Sequence, residues 1–257
     1  MEKIPKFSYL WQYVEYWAQK KPNFEFLKFN EKTIRAVDLW RNTCLCAANL
    51  RQIGISKGDR IVTILPTVPE YTYLFLAGTM LGAIICPMDL RYRPADYKRY
   101  ISHLRPKMIV LLTKIEDFPV GDVIQQLDQE LNLHAIFYHY GSGSFGSPIE
   151  NLFIESSGKI SPPEQIIKSL PQLKPHDGVL IIFTGGTTGI PKSMLLNIRH
   201  VTQASYLEAD YVRRMLDELG FHDTPKILLN LPPSHVGGTV EIQGTCLAGG
   251  YHIIMQQ

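Results

Sequence analysis

Short apolar runs alternate with stretches of helical spacing along much of this chain, and that alternation limits the fold more than any single residue does. Arg60 to Leu65 reads as a buried strand, Pro69 to Leu81 as a helix, Ala83 to Cys86 as a strand, Pro94 to Leu104 as a helix and Met108 to Leu112 as a strand. A helix near Val123 to Leu131 and a strand from His134 to Tyr140 continue the series. Strands this apolar, separated by helices, predict a parallel-rich sheet flanked by helices on both faces, an α/β fold. Upstream, Ser8 is placed to cap a helix through Leu10, Val14 and Trp17 that Pro22 stops. Phe24 to Phe29 reads as an alternating strand, and Val37 to Ile53 as a helix that Gly54 ends.

With 257 residues, 45% of them apolar and 19% charged, the chain suits one large α/β domain or two small ones. Pro162, Pro163, Pro171 and Pro175 rule out a long helix between Ser156 and His176. Residues 1–155 are therefore read as a first α/β subdomain, 156–176 as a linker and 177–257 as the start of a second. The second part reads as strands over Gly178 to Phe183, Ser193 to Asn197, Ile227 to Leu231 and His252 to Met255, with helices over His200 to Leu219 and Gly238 to Leu247. The last strand stops two residues before Gln257. This predicts an incomplete fold, with an open edge strand that a further segment or a partner would cover.

A net charge of +2 without any long Lys or Arg run argues against nucleic acid as a partner. The most apolar stretch, Tyr73 to Cys86, falls short of the roughly 20 residues that a membrane span needs. The aromatic N-terminus, interrupted by Glu15 and Gln19, is unlike a signal peptide, so a cytoplasmic location is expected. Cys44, Cys46, Cys86 and Cys246 sit in apolar surroundings without C-x-x-C spacing and read as reduced and packed. No His pattern supports a metal held by the protein.

Two glycine-rich loops compete for a functional role. Thr184-Gly185-Gly186-Thr187-Thr188-Gly189-Ile190-Pro191-Lys192 follows an apolar strand. Its glycines allow successive N–H groups to converge on phosphate oxygens, its threonines add hydroxyl donors, and Lys192 adds a positive charge. From Gly186 to Ser193 it misses the Walker pattern only at Pro191, but proline removes an N–H, and Met194-Leu195-Leu196 reads as a strand where a Walker loop opens a helix. The second loop, Gly141-Ser142-Gly143-Ser144-Phe145-Gly146, fits the dinucleotide pattern G-x-G-x-x-G. No long helix follows it, so it reads as a surface loop rather than as part of a Rossmann oxidoreductase.

The full string from Phe183 to Lys192 resembles the signature of the adenylate-forming enzymes, Y/F-T-S-G-T/S-T-G-x-P-K-G, with Gly185 in place of the usual serine and Ser193 in place of the final glycine. Gly58-Asp59-Arg60, Pro69-Glu70 and Leu81-Gly82-Ala83 through Pro87 to Met88-Asp89 are similar to segments upstream of that signature. Leu231-Pro232-Pro233-Ser234-His235-Val236-Gly237-Gly238 and Ala248-Gly249-Gly250 are similar to segments downstream. The resemblance covers nearly the whole chain and implies the N-terminal portion of an AMP-forming acyl-CoA synthetase.

That resemblance implies a reaction in which a carboxylic acid, ATP with Mg²⁺ and CoA give acyl-CoA, AMP and pyrophosphate. It places Thr184, Gly185, Gly186, Thr187, Thr188, Gly189 and Lys192 on the ATP phosphates, with Thr188 nearest them and Lys192 on the departing pyrophosphate. His235, Val236, Gly237 and Gly238 fall at the acyl pocket, although His235 could instead bond to the backbone of its proline turn. His200 could equally serve only to start a helix. The family's adenine-binding Y-G-x-T-E segment, ribose-binding aspartate, hinge and C-terminal lysine have no counterpart here, so no catalytic set is complete. An inactive fragment, a non-catalytic nucleotide-binding lobe, or half of a split enzyme with a complementary chain is expected.

Overall fold

The computed structural model describes residues 2–143, 145–155, 163–184 and 192–256. The first helix, α1 (Leu10–Lys20), is not capped by Ser8. Gln12 reaches back instead, its Oε1 accepting the backbone N–H of both Ser8 and Tyr9 at 3.1 Å. β1 (Glu25–Phe29) does not alternate cleanly, because a register shift between Glu25 and Leu27 turns both Phe26 and Leu27 inward. Asn30, at φ 50°, then turns the chain into β2 (Lys32–Arg35). The periodicity of the sequence carries no sign of this hairpin partner, because Ile34 is its only apolar residue.

The expected alternation follows as α2 (Ala36–Gln52), β3 (Arg60–Ile64), α3 (Pro69–Leu81), β4 (Ile84–Pro87), α4 (Pro94–Leu104), β5 (Met108–Leu112), α5 (Val120–Leu131) and β6 (Ile136–Tyr140). With β7 (Ser147–Pro148), β8 (Gly178–Thr184) and β9 (Lys192–Asn197), the strands form a sheet in the order β7-β6-β5-β3-β4-β8-β9. Every neighbouring pair is parallel except β8 with β9. Along β5, Met108 and Val110 join the apolar cluster that holds α2 and α3 residues, whereas Ile109 and Leu111 join the one that holds α4 and α5 residues. Both faces of the sheet are therefore covered, as parallel strands require.

A second sheet has the order β10-β11-β1-β2, with β10 at Lys226–Leu228 and β11 at His252–Met255. The last strand is thus interior, parallel to β1 on one side and to β10 on the other. This overturns its expected role as an open edge, because the N-terminal strand returns across the molecule to pair with it. Both sheets take strands from either side of residues 156–176, within which α6 (Pro163–Lys168) lies. The predicted helix at Gly238 is a π-helix (Gly237–Gly244) continued by a short α8 (Thr245–Gly249), and both pack against α7 (Ile198–Glu218).

All four cysteines are buried, and burial pushes their thiols well above the usual range. They are packing residues. Among the described residues no helix is long and apolar enough to cross a membrane.

Asn49 ties α2 to the turn after β7. Its Nδ2 donates to the carbonyls of Leu152 at 3.0 Å and Ile154 at 2.9 Å, with Asn151 more distant at 3.4 Å. Asn49→Leu keeps the volume but strands those carbonyls, and is expected to lower unfolding free energy by about 2 kcal/mol. A urea midpoint equal to the parent's would show that the turn does not depend on this side chain.

Candidate functional site

The connection from β3 to β4 runs through α3 on one face of the sheet, and the connection from β4 back past β3 to β5 runs through α4 on the other. Connections that leave adjacent strands toward opposite faces open a crevice at the strands' C-terminal ends, the usual ligand position in such sheets. Because β8 is parallel to β4, it delivers Thr184 to that same edge. Thr184 pairs with Lys192 across the antiparallel register, and its Oγ1 donates to the Lys192 carbonyl at 3.3 Å. Both residues are exposed. Gly185, Gly186, Thr187, Thr188 and Gly189 lie outside the described residues; what the structure supplies is the stem that carries them. That stem continues into β9, a strand, as the argument against a Walker loop requires.

The second candidate segment reaches the same edge through a buried polar network. The Thr239 hydroxyl donates to the Pro233 carbonyl at 2.9 Å, which makes Tyr71, at the start of α3, the donor in the 2.8 Å contact between the two hydroxyls. The Thr67 hydroxyl donates to the Leu231 carbonyl at 3.4 Å, and that of Thr72 to Gln243 Oε1 at 3.0 Å. These bonds dock residues 231–243 against the chain as it leaves β3. Tyr71 and Thr239 were not singled out in the sequence, where two hydroxyls 168 residues apart carry no recognisable signal.

His235 is exposed, and its Nδ1 accepts the Gly237 N–H at 3.1 Å, while its own N–H donates to the Pro232 carbonyl at 3.0 Å. The backbone role is therefore real, and it also directs the proton of the neutral ring to Nε2. Gly237 and Gly238 are buried and Val236 is half-buried. A Cβ on Gly238 would stand 2.3 Å from the Pro232 carbonyl oxygen, so only glycine lets the π-helix start this close to the proline turn. His200 serves its helix: Asn197 Oδ1 accepts the His200 N–H at 2.8 Å and caps α7.

At the other glycine loop, Gly146 leads into β7 and a 3₁₀ turn at Ile149–Leu152. A dinucleotide site needs a helix N-terminus at that point. A Cβ on Gly146 would lie 2.6 Å from the Phe137 carbonyl, so packing explains this glycine.

The charged residues near the crevice behave unequally. Asp89, just after β4, is held below the usual carboxylate range chiefly by Arg91, which bonds it at 2.6 and 2.8 Å. Burial raises the Glu70 carboxyl, whose Oε2 has no hydrogen-bond partner among the described residues. At the opposite edge, burial would raise Asp59 too, but Lys107 Nζ at 2.8 Å and the Ser56 N–H and hydroxyl outweigh it and lower its pKa. A folded-state pKa below the unfolded one means that the folded chain binds fewer protons. The resulting stability is complete above the unfolded value of about 3.9 and is lost as pH falls through the folded value. Urea midpoints are expected to decline below about pH 4, and Asp59→Asn to flatten that decline; an equally steep decline in the variant would assign it to other carboxylates.

A mixed, mostly parallel sheet covered by helices on both faces defines the chain as an α/β protein. The family model described as AMP-binding enzyme matches residues 14–257, and the chain belongs to that family. It is 26% identical over 215 residues to the 4-coumarate–CoA ligase CCL1 of Humulus lupulus, covering 82% of this chain and 36% of that protein. It is 25% identical over 220 residues to a peroxisomal benzoate–CoA ligase of Arabidopsis thaliana, covering 83% of this chain and 36% of that one. The chain thus spans little more than a third of either relative. Among solved structures, the luciferase-like enzyme of the mealworm Zophobas morio matches all of this chain and 56% of its own, with a TM-score of 0.77 at 15% identity. The inhibitor-bound N-terminal domain of FACL13 from Mycobacterium tuberculosis matches 98% of this chain and 57% of its own, with a TM-score of 0.71 at 18% identity. At those identities the likeness is one of fold: that of the N-terminal domain of adenylate-forming enzymes.

Proposed function

We propose that this chain is the polyphosphate-binding part of an AMP-forming acyl-CoA ligase. The observation that carries the proposal is the pairing of Thr184 with Lys192 at the C-terminal edge of the parallel sheet, which brings the two ends of the Gly/Thr-rich segment to that edge. In the whole reaction a carboxylate oxygen of the acid attacks the α-phosphorus of ATP, and the bond to pyrophosphate breaks. The thiol of CoA then bonds to the acyl carbon and releases AMP. On this chain, Thr184 to Gly189 would present N–H and hydroxyl donors to the β- and γ-phosphates, and Lys192 would neutralise charge building on the pyrophosphate. His235, with Val236, Gly237 and Gly238, would wall the acyl pocket and offer the acid the Nε2 side of the ring.

The described residues bring together no group of three or more metal-ligating side chains. Mg²⁺ would enter with ATP, as the counter-ion of its phosphates. Because the chain spans 36% of the relatives named above, we propose that it does not turn over alone and that a complementary polypeptide supplies the remaining groups. A cytoplasmic location belongs to the same proposal. Calorimetric titration of the purified chain with ATP and with pyrophosphate is expected to show binding, and mass spectrometry with acid and ATP to show no acyl-adenylate. Adenylate formed by the chain alone would refute its dependence on a complement, while the absence of binding at millimolar ligand would reduce it to a structural remnant.

A further inference from the structure

We infer that a cleft between α2 and α6 is a second binding site, one for the anion of a carboxylic acid with an apolar body. α2 and α3 both end just before β3 and β4 begin, so the cleft lies at the strands' N-terminal edge, opposite the crevice. Its volume is about 430 Å³, within the range of small-molecule sites. Ala47, Leu81 and Ile166, at 1%, 3% and 6% exposure, form its apolar floor. Ala48 also lines it, and its small side chain leaves open the space that a larger one on that face of α2 would fill.

Arg51 is exposed and lines the same cleft. Its Nη1 donates to the Ser169 carbonyl at 2.9 Å, which ties the last turn of α2 to the residue after α6. That bond uses one N–H of the guanidinium fork, and the others can meet a carboxylate. The described lining residues include this one cation and no carboxylate. Glu164, also on α6, exerts its field on Glu15 and on Cys44, one turn earlier along α2. The C-terminal end of a helix opposes an anion with about half an elementary charge. Here the carbonyls of Asn49, Leu50 and Arg51 already accept the N–H groups of Ile53, Ile55 and Gly54, so the guanidinium decides the sign. One guanidinium matches a singly charged carboxylate, whereas a phosphate dianion would keep a charge uncompensated.

Calorimetric titration of octanoate and of octanol into the purified chain and three variants tests the inference, with thermal unfolding measured on each. The parent is expected to bind octanoate more tightly than octanol. Arg51→Gln is expected to raise the octanoate Kd about tenfold, the weight of one charge-assisted contact, and to leave octanol unchanged, which a general loosening of α6 would not. Ale at the rim is not altered in His235→Ala, which is expected to bind octanoate as the parent does. Ala48→Phe, which fills the cleft, is expected to remove binding of both ligands; should it fail to fold, the two Arg51→Gln titrations decide alone. No octanoate binding by the parent at millimolar concentration, undiminished binding in Arg51→Gln, or a loss confined to His235→Ala would overturn the inference. The assignment of the phosphate loop would stand in each case, because pyrophosphate binding tests it separately.

Discussion

Lys192→Ala is expected to weaken pyrophosphate and ATP binding by about 30-fold, the weight of one charge-assisted contact to a phosphate oxygen. Lys192 opens β9 as an exposed residue, so its removal leaves the core untouched, and the melting temperature is expected to stay within about 1 °C, as for an ordinary surface substitution. Lys192→Arg keeps the charge and is expected to recover part of the affinity. Calorimetry at low ionic strength reads all three proteins. Unchanged affinity in Lys192→Ala would remove the electrostatic basis of the assignment, whatever the family membership.

The second large effect is structural. In Gly238→Ala the new methyl carbon would stand 2.3 Å from the Pro232 carbonyl oxygen and 2.7 Å from that of Leu231, backbone atoms that Thr67 and Tyr71 hold in place through Leu231 and Thr239. Overpacking against fixed backbone is expected to cost about 2–3 kcal/mol and to displace the turn that carries His235. In Gly237→Ala the nearest atom, at 2.6 Å, is Leu231 Cδ1, the end of a side chain that can rotate away, so a loss of at most about 1 kcal/mol is expected. Equal losses in the two variants, measured by urea unfolding, would show that the proline turn yields as easily as a leucine.

Where local chemistry decided an element, the sequence was a sufficient guide. Pro69 at the first turn and Gly82 in the left-handed conformation after the last bound α3 at the predicted residues, and the apolar runs of β3 and β5 were read within a residue. Where the deciding partner was distant, it was not. β2 is a strand because β1 lies beside it, not because Lys32-Thr33-Ile34-Arg35 favours one. At the start of α1 the deciding partner is local but unexpected, because Gln12 displaced the expected cap from inside the helix.

The candidate site divides along the same line. Its proposed donor groups stand out in the sequence because a phosphate cradle demands glycine, hydroxyl and lysine within one short stretch of chain. That β8 and β9 form a hairpin, that the proline turn meets α3 through Tyr71 and Thr239, and that His235 spends Nδ1 on the Gly237 N–H all depend on contacts between residues far apart in the chain or on the rotation of a single ring. So does the burial of β11 between β1 and β10, which joins the two ends of the chain in one sheet. Residue order sets conformational preference and hydrogen-bonding capacity over a few neighbours, whereas hydrophobic packing and strand pairing select among the long-range arrangements those preferences allow.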